Sequence, residues 1–220
     1  SWRSWLNEPS PNLLPAEVPC SVESRARDES LVGTAPQVAS YLLIEHNGPW
    51  PHDALREAPM PEETREFLLN QNSKVLLIRR PDRQHQGVRG FYATPDGIRG
   101  ARFQDLGEIA DSDPREWPAV QTDLYLVCTQ GKRDACCAQF GRPVVEALAK
   151  VRPEETWEVS HLGGHRFAAN VLVLPSGDVF GRVTPDDVPA LLGADPRLMR
   201  GTSWLSPQEQ AEALLAGPVN

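Results

Sequence analysis

Three of the four cysteines and two of the five histidines fall in one stretch of the sequence. They are Cys128, Cys136, Cys137, His161 and His165. Thiolate sulfur and imidazole nitrogen are the ligands that proteins use for structural zinc, and both also bind iron–sulfur clusters. Two thiolates and two imidazoles complete the ligand set of a metal centre. The residue types and their clustering therefore predict that this stretch binds a metal.

The two histidines are separated only by Leu162, Gly163 and Gly164. Glycine has no Cβ, so the backbone can turn sharply at these positions and approach a ligand closely. We therefore expect this loop to bring His161 and His165 to the same ligand.

The residue types alone leave several chemical interpretations open. The first is a tetrahedral zinc site in which Cys128 and either Cys136 or Cys137 join the two histidines. The second is a [2Fe–2S] cluster with two cysteine and two histidine ligands. The third is thiol chemistry at the adjacent Cys136–Cys137 pair. A purely structural role, with buried thiols and hydrogen-bonded imidazoles, is the alternative to all three.

The spacing of these residues carries a resemblance to a known family. Eight residues separate Cys128 from Cys137, the segment 131–134 (Gly-Lys-Arg-Asp) lies between them, and the His-x-Gly-Gly-His element follows. In these motifs the chain resembles the sucrase/ferredoxin-like family. The resemblance covers roughly residues 20–216, and the other segments that contribute to it are Cys20-Ser21, 31–35, 42–45, 48–50 and 200–203.

The resemblance implies a specific cofactor and ligand set. The cofactor is a [2Fe–2S] cluster, with Cys128 and Cys137 on one iron and His161 and His165 on the other. The family spacing selects Cys137 and leaves Cys136 as a bystander. The resemblance also implies that the C-terminal domain has a thioredoxin-like ferredoxin fold.

Alternating strand and helix patterns predict an α/β chain with two domains. Proline-rich residues 1–19 are interpreted as an extended N-terminal arm, residues 20–110 as an N-terminal α/β domain and residues 111–119 as a polar linker. Residues 120–195 would form the thioredoxin-like [2Fe–2S] ferredoxin domain, and residues 196–220 a C-terminal tail with a helix.

The patterns in the second domain place the cysteines around one strand and one helix. An apolar strand over residues 124–127 would deliver Cys128 at its C-terminal end, where α/β folds usually hold their ligands. Pro143 is typical of a first helical turn, so the helix is predicted to run from there through Lys150. Cys136 and Cys137 would then lie just before this helix.

Several other residues could take part in chemistry but have simpler interpretations. Cys20 is either a buried structural thiol or a site residue near the domain interface. Three histidines in turn or loop patterns lack ligand spacing and are predicted at the surface: His46, His52 and His85. Three arginines are predicted to form a solvated basic face that could dock an acidic partner: Arg79, Arg80 and Arg83. Three cations flanking the ligands are also expected to be solvated, although they could instead hold a cluster sulfide or a partner carboxylate: Lys132, Arg133 and Arg166.

Composition excludes some classes of partner. The chain has 220 residues and a formal net charge of −8 at pH 7, which disfavours nucleic acid because phosphate binding needs clustered Lys and Arg. No apolar run is long enough to cross a bilayer, so no membrane is expected. The N-terminus lacks the apolar core of a secretion signal, and four cysteines without framework spacing favour a reducing cytoplasm.

These observations together favour an electron carrier over a stand-alone enzyme, although an enzymatic role stays open. The histidine-bound iron would take the electron, and reduction would couple to proton uptake at a ring nitrogen. No glycine-rich dinucleotide fingerprint is present, so electrons would come from a separate reductase protein and pass to an unknown acceptor. The alternative is a zinc-stabilised Cys2His2 thioredoxin-like interaction module.

Overall fold

The computed structural model describes residues 18–82 and 87–216. Its helices are α1 (Cys20–Ala26), α2 (Ala54–Glu57), α3 (Glu62–Leu69), α4 (Ala135–Val151), α5 (Val188–Leu192) and α6 (Pro207–Ala216). Its strands are β1 (Tyr41–Glu45), β2 (Lys74–Arg79), β3 (Val88–Thr94), β4 (Gly97–Phe103), β5 (Ala119–Val120), β6 (Leu124–Cys128), β7 (Thr156–Val159), β8 (Val171–Leu174), β9 (Asp178–Phe180) and β10 (Met199–Thr202). Most of the predicted arm, along with Arg83 and His85, lies outside the described residues.

The second half of the sheet has the thioredoxin-like arrangement that was expected. Strand β6 runs parallel to β7, and α4 is the crossover between them. Strand β8 pairs antiparallel with β6, and β9 pairs antiparallel with β8, giving the spatial order β9-β8-β6-β7. The fold is therefore α/β, with a thioredoxin-like unit in its second half.

The first half repeats the same strand order. Strand β1 is parallel to β2, β3 is antiparallel to β1, and β4 is antiparallel to β3. The resulting spatial order is β4-β3-β1-β2. It is the same as β9-β8-β6-β7 if β6, β7, β8 and β9 are counted as the first to fourth strands of the second half.

The two halves join through one pair of strands. Strand β2 pairs antiparallel with β7, where Ile78 lies opposite Val159 and Arg79 opposite Glu158. The ten strands of the described chain thus form one sheet, and one hydrophobic cluster contains residues from both halves, among them Leu43 and Leu126. The predicted division into two domains stays a prediction, but both parts share a sheet and a core.

The predicted linker and tail both pack on this sheet. Within residues 111–119, Trp117 is 5% exposed and lies beneath β3 and β4, and β5 begins at Ala119 and pairs with β4. In the tail, β10 pairs with β9, and the buried Gln210 of α6 exchanges hydrogen bonds with the backbone of Ala35.

The predicted start of α4 at Pro143 is wrong. The helix begins at Ala135, because the Asp134 side chain accepts a hydrogen bond from the Cys136 N–H and caps the first turn. Pro143 lies inside the helix, where it removes one backbone donor. Burial of Val144, Val145 and Leu148 against β6 and β8 stabilises the helix despite this loss. Cys136 and Cys137 consequently belong to the first turn of α4.

Helix α4 crosses the end of β6 at close range. A Cβ atom on Gly141 would collide with the backbone oxygen of Cys128 and lie 3.3 Å from the Thr129 methyl group. Only glycine therefore permits this approach, which fixes the distance between the first turn of α4 and the end of β6.

We predict that Gly141→Ala lowers the free energy of unfolding by about 1–3 kcal/mol, because the added methyl group must push the helix from the strand. Gly193→Ala is the matched control, since its Cβ would make ordinary contacts at 3.5 Å or more, and it should change stability by no more than about 0.5 kcal/mol. Urea denaturation measures both. Equal stabilities for the two variants would contradict the packing described here.

Candidate metal centre

The parallel pairing of β6 and β7 brings two predicted ligands to one edge of the sheet. Cys128, the last residue of β6, lies opposite Val159, the last residue of β7. The chain leaves β7 through Ser160, whose N–H donates to the Leu77 carbonyl (2.8 Å) and whose hydroxyl accepts from the Leu77 N–H (3.0 Å). His161 follows immediately and is therefore held beside Cys128.

The third predicted ligand comes from α4. Cys137 lies in its first turn, is 1% exposed and belongs to the same hydrophobic cluster as Cys128. Its Sγ lies 3.8 Å from Nδ1 of His161. The ligand atoms of Cys128, Cys137 and His161 all lie within 4.8 Å of one another. Three of the four predicted ligands thus converge from a strand end, a helix start and a loop.

His165 lies at the edge of this group. Its ring centroid is 6.0 Å from that of His161, and its Nε2 is 3.7 Å from Oδ2 of Asp134. The side chain is 46% exposed, whereas both cysteines are buried. The structure therefore places the fourth predicted ligand on the solvent side of the site and outside the compact group of three.

The chain matches known sequences over most of its length. Residues 31–200 match the sequence model of the sucrase/ferredoxin-like family. The chain belongs to the sucrase/ferredoxin-like family. The predicted ligands all lie within the matched residues.

Curated relatives are yeast proteins named altered inheritance of mitochondria protein 32. The one from Kluyveromyces lactis is 28% identical over 41% of this chain and 29% of its own length. The one from Eremothecium gossypii is 31% identical over 47% of this chain and 38% of its own length. The one from Saccharomyces cerevisiae (strain YJM789) is 41% identical over 27% of this chain and 19% of its own length. The matches thus span well under half of these relatives. Their name refers to mitochondria, whereas a cytoplasmic location for this chain stays a prediction.

Among solved structures, a thioredoxin-like [2Fe–2S] ferredoxin from Aquifex aeolicus is 22% identical, with a TM-score of 0.31. The match covers 36% of this chain and 91% of that one. Among the described residues, no helix combines the length and apolar character needed to cross a membrane.

The groups around Cys128 favour its thiolate form. A hydrogen bond from the Cys137 thiol, with others from His161 and the Leu162 N–H, lowers the pKa of Cys128 well below its usual value although burial opposes this. The same Cys128–Cys137 hydrogen bond and burial raise the pKa of Cys137. A metal that binds both sulfurs must displace the proton of Cys137. Two buried sulfurs and two imidazoles suit either zinc or a [2Fe–2S] cluster.

The glycine loop between the histidines is held through its carbonyl groups. Lys74 Nζ donates to the Leu162 carbonyl (2.9 Å) and Arg200 Nη1 to the Gly163 carbonyl (3.0 Å). Asn170 Nδ2 donates to the Gly164 carbonyl (2.9 Å). Three consecutive carbonyls are thus fixed by side chains from β2, β10 and the segment before β8. Gly163 and Gly164 adopt φ of +96° and +74°, which explains the need for glycine at both positions.

Sequence reasoning missed the cations beneath this loop. Burial, with the nearby Arg200 charge, lowers the pKa of Lys74 to about 8, and burial also lowers the pKa of Arg200 to about 10. Lys74 has the sequence pattern of an ordinary strand start. Arg200 was noted only as part of the family resemblance, in the segment 200–203.

The structure places Cys20 at the site rather than in a remote core. Its Sγ lies 3.5 Å from that of Cys136 and within 4.8 Å of ligand atoms of Asp134 and His165. Burial and the Cys136 hydrogen bond raise the pKa of Cys20 to about 11, so the thiol is protonated at neutral pH. Cys136 contacts Cys20 and lies outside the compact group of Cys128, Cys137 and His161, and its bystander role stays a prediction.

Three residues that were predicted at the surface are buried: His46, Arg79 and Arg80. His46 is 5% exposed, and its Nε2 lies 2.8 Å from the Pro59 carbonyl oxygen. Arg79 is buried and pairs with Glu158 at 2.7 Å, because β7 covers the edge of β2. Arg80 is also buried and donates to the Pro153 carbonyl.

One histidine and three cations are exposed, as the sequence predicted: His52, Lys132, Arg133 and Arg166. His52 is exposed as predicted, with Nδ1 3.2 Å from Arg133 Nη1. Lys132 and Arg133 are exposed, and the exposed Arg166 pairs with Glu29 at 2.6 Å.

We predict that Arg200→Met lowers the free energy of unfolding by at least about 1–3 kcal/mol, because it removes the donors to Gly163, Thr34 and Asn170 and leaves buried acceptors unpaired. The control is Arg197→Met, whose side chain is 82% exposed, with an expected change within about 0.5 kcal/mol. Thermal or urea denaturation compares the two. The assignment fails should Arg200→Met unfold at the same denaturant concentration as the parent protein.

Proposed function

We propose that this chain is an electron-transfer protein that holds a [2Fe–2S] cluster through Cys128, Cys137, His161 and His165. The observation that carries the proposal is the convergence of two buried thiols and an imidazole from three separate elements, next to a second histidine on the same short loop. Membership of the sucrase/ferredoxin-like family supports the same ligand set.

The cluster, when bound, would accept and release one electron. The two cysteine side chains bind it as thiolates, and the neutral imidazoles add no charge, so this ligand set is less negative than four cysteines. The Lys74 and Arg200 side chains place positive charge beneath the ligand loop and favour the added negative charge of the reduced state. Both features raise the reduction potential relative to an all-cysteine ferredoxin.

The burial pattern gives the site one open side. Cys128, Cys137 and Leu162 are each 1% exposed, so they exclude water from the sulfur ligands. The His165 side chain is half-buried, with 46% of it exposed, and its Nε2 faces Asp134. We therefore propose that electrons enter and leave at the His165 face, where a proton on the imidazole can also exchange with solvent. The donor would be a separate reductase protein.

A zinc-stabilised interaction module is the second candidate. The observation that favours it is the compactness of the Cys128, Cys137 and His161 group, since ligand atoms within 4.8 Å of one another match the size of a single ion's coordination shell. His165 would then need to move inward as the fourth ligand. Metal analysis separates the two candidates.

We predict that protein purified without air is coloured and contains about two irons and two sulfides per chain. Cys137→Ser should lose the visible absorption and most of the iron, whereas Cys136→Ser should keep both, because only Cys137 belongs to the ligand group. The measurements are an ultraviolet–visible spectrum with iron, sulfide and zinc assays on each sample. A colourless parent protein with about one zinc per chain would establish the zinc module instead.

We predict that His161→Cys lowers the midpoint potential by on the order of 100 mV, because a thiolate adds negative charge where a neutral imidazole was bound. The control is His52→Ala, an exposed histidine outside the ligand group, which should leave the potential unchanged. Redox titration followed by visible absorption gives both values. In the parent protein the potential should also fall with rising pH where an imidazole proton is lost, and a pH-independent potential would refute coupled proton transfer.

A further inference from the structure

Cys20 and Cys136 form a second thiol pair outside the proposed ligand set. Their sulfurs are 3.5 Å apart, although 116 positions separate the residues in the sequence. Cys20 is the first residue of α1, and Cys136 lies in the first turn of α4. Both are free thiols. The contact is therefore made by tertiary structure and not by a local sequence motif.

Helix α1 is anchored where it brings Cys20 to this position. Arg182 Nη2 donates to the carbonyl oxygens of Ser24 (3.1 Å) and Glu29 (2.7 Å). The Glu29 carboxylate pairs with Arg166 at 2.6 Å. Hydrogen bonds from a charged donor are roughly twice as strong as neutral ones. The end of α1 is thus tied to the segment that follows His165, and Cys20 is held facing α4.

The pair is suited to a disulfide, whereas the adjacent cysteines are not. A disulfide needs a sulfur–sulfur distance of about 2.05 Å, so the Cys20 and Cys136 sulfurs must approach by about 1.5 Å. Rotation of the partly exposed Cys20 side chain at the helix start can supply this movement. Cys136 and Cys137 are consecutive residues of a helix, and consecutive side chains do not face each other. Thiol chemistry at Cys136 therefore has Cys20 as its partner.

We propose that Cys20 and Cys136 are a thiol–disulfide exchange site that accepts small-molecule disulfides. Cys20 is the attacking residue because it is partly exposed, and Cys136, which is 4% exposed, is the resolving residue. The Cys20 thiolate attacks one sulfur of the external disulfide, forming a mixed disulfide and releasing one thiolate. The Cys136 thiolate then attacks the Cys20 sulfur, forming the Cys20–Cys136 bond and releasing the second thiolate.

This sequence of steps is balanced. The two cysteines lose two electrons in total, and these reduce the disulfide bond of the small molecule to two thiols. The protons of the two cysteine thiols pass through solvent to the two released thiolates. No metal takes part, so the proposal goes beyond the proposed electron-transfer function and does not rest on it.

The test uses the purified full chain, with iron, sulfide and zinc measured before and after treatment. Glutathione disulfide is the probe, and incubation continues until the thiol count is constant. After acid quenching, denaturation and alkylation, the sample is digested without reduction and analysed by mass spectrometry. We expect the count of free thiols to fall from four to two. A peptide pair joined through Cys20 and Cys136 should account for the loss.

Two single variants are the controls. Cys136→Ser should stop the reaction at the mixed disulfide and leave glutathione on Cys20, whereas Cys20→Ser should show neither the link nor glutathione at Cys136. The proposal is overturned if the parent protein keeps four thiols, retains glutathione on Cys20, or links Cys20 to a cysteine other than Cys136. The peptide masses show whether Cys20 and Cys136 are linked, whatever the metal content of the protein. Failure of the cluster proposal would be seen separately, in the iron and sulfide assays.

Discussion

The candidate metal centre depends on the hydrogen bonds that fix the backbone of its histidine loop. Without them a loop with two glycines would have many conformations, and the positions of both imidazoles would be undefined. The donors are Lys74, Arg200 and Asn170, which come from distant parts of the sequence. Two of them carry positive charge. The groups that order the loop therefore also contribute positive potential at Cys128, a proposed sulfur ligand.

The origin of these donors connects the half that carries the proposed ligands to the first half of the chain. Lys74 belongs to β2, in the first half of the chain, and reaches across the junction to the loop. Gln130, next to the ligand strand, accepts from the His161 N–H and donates to the carbonyl oxygen of Pro51. Both halves have the same strand order, but the second carries the proposed ligands and the first supports them. The centre is a property of the joined sheet.

Local sequence patterns were sufficient for much of the fold. The apolar run over residues 124–127 predicted β6, and the end of that strand at Cys128 was placed within one residue. The glycine pair indicated a tight loop between the histidines, which the positive φ angles confirm. These features depend on residues close together in the sequence, which is why a pattern can reveal them.

Two of the missed features depend on contacts between distant segments. Arg79 has the sequence signature of a solvated strand end and becomes buried only because β7 pairs with β2. Nothing near Cys20 indicates that its sulfur lies against Cys136. Pro143 favoured a helix start, but the Asp134 cap and the apolar face of α4 outweigh the lost backbone hydrogen bond. Tertiary packing thus overrides the local preference of Arg79 and decides the position of Cys20, whereas the start of α4 is set by a local cap together with burial.

The junction between β2 and β7 also limits how the chain can be divided. A fragment beginning at β6 would contain every proposed ligand, yet β7 would become an open sheet edge. Unpaired edges recruit strands from other molecules and lead to aggregation. The Glu158 carboxylate would lose its Arg79 partner in the same cut. A fragment that contains the proposed centre and stays monomeric must therefore include β2, although β2 contributes no proposed ligand.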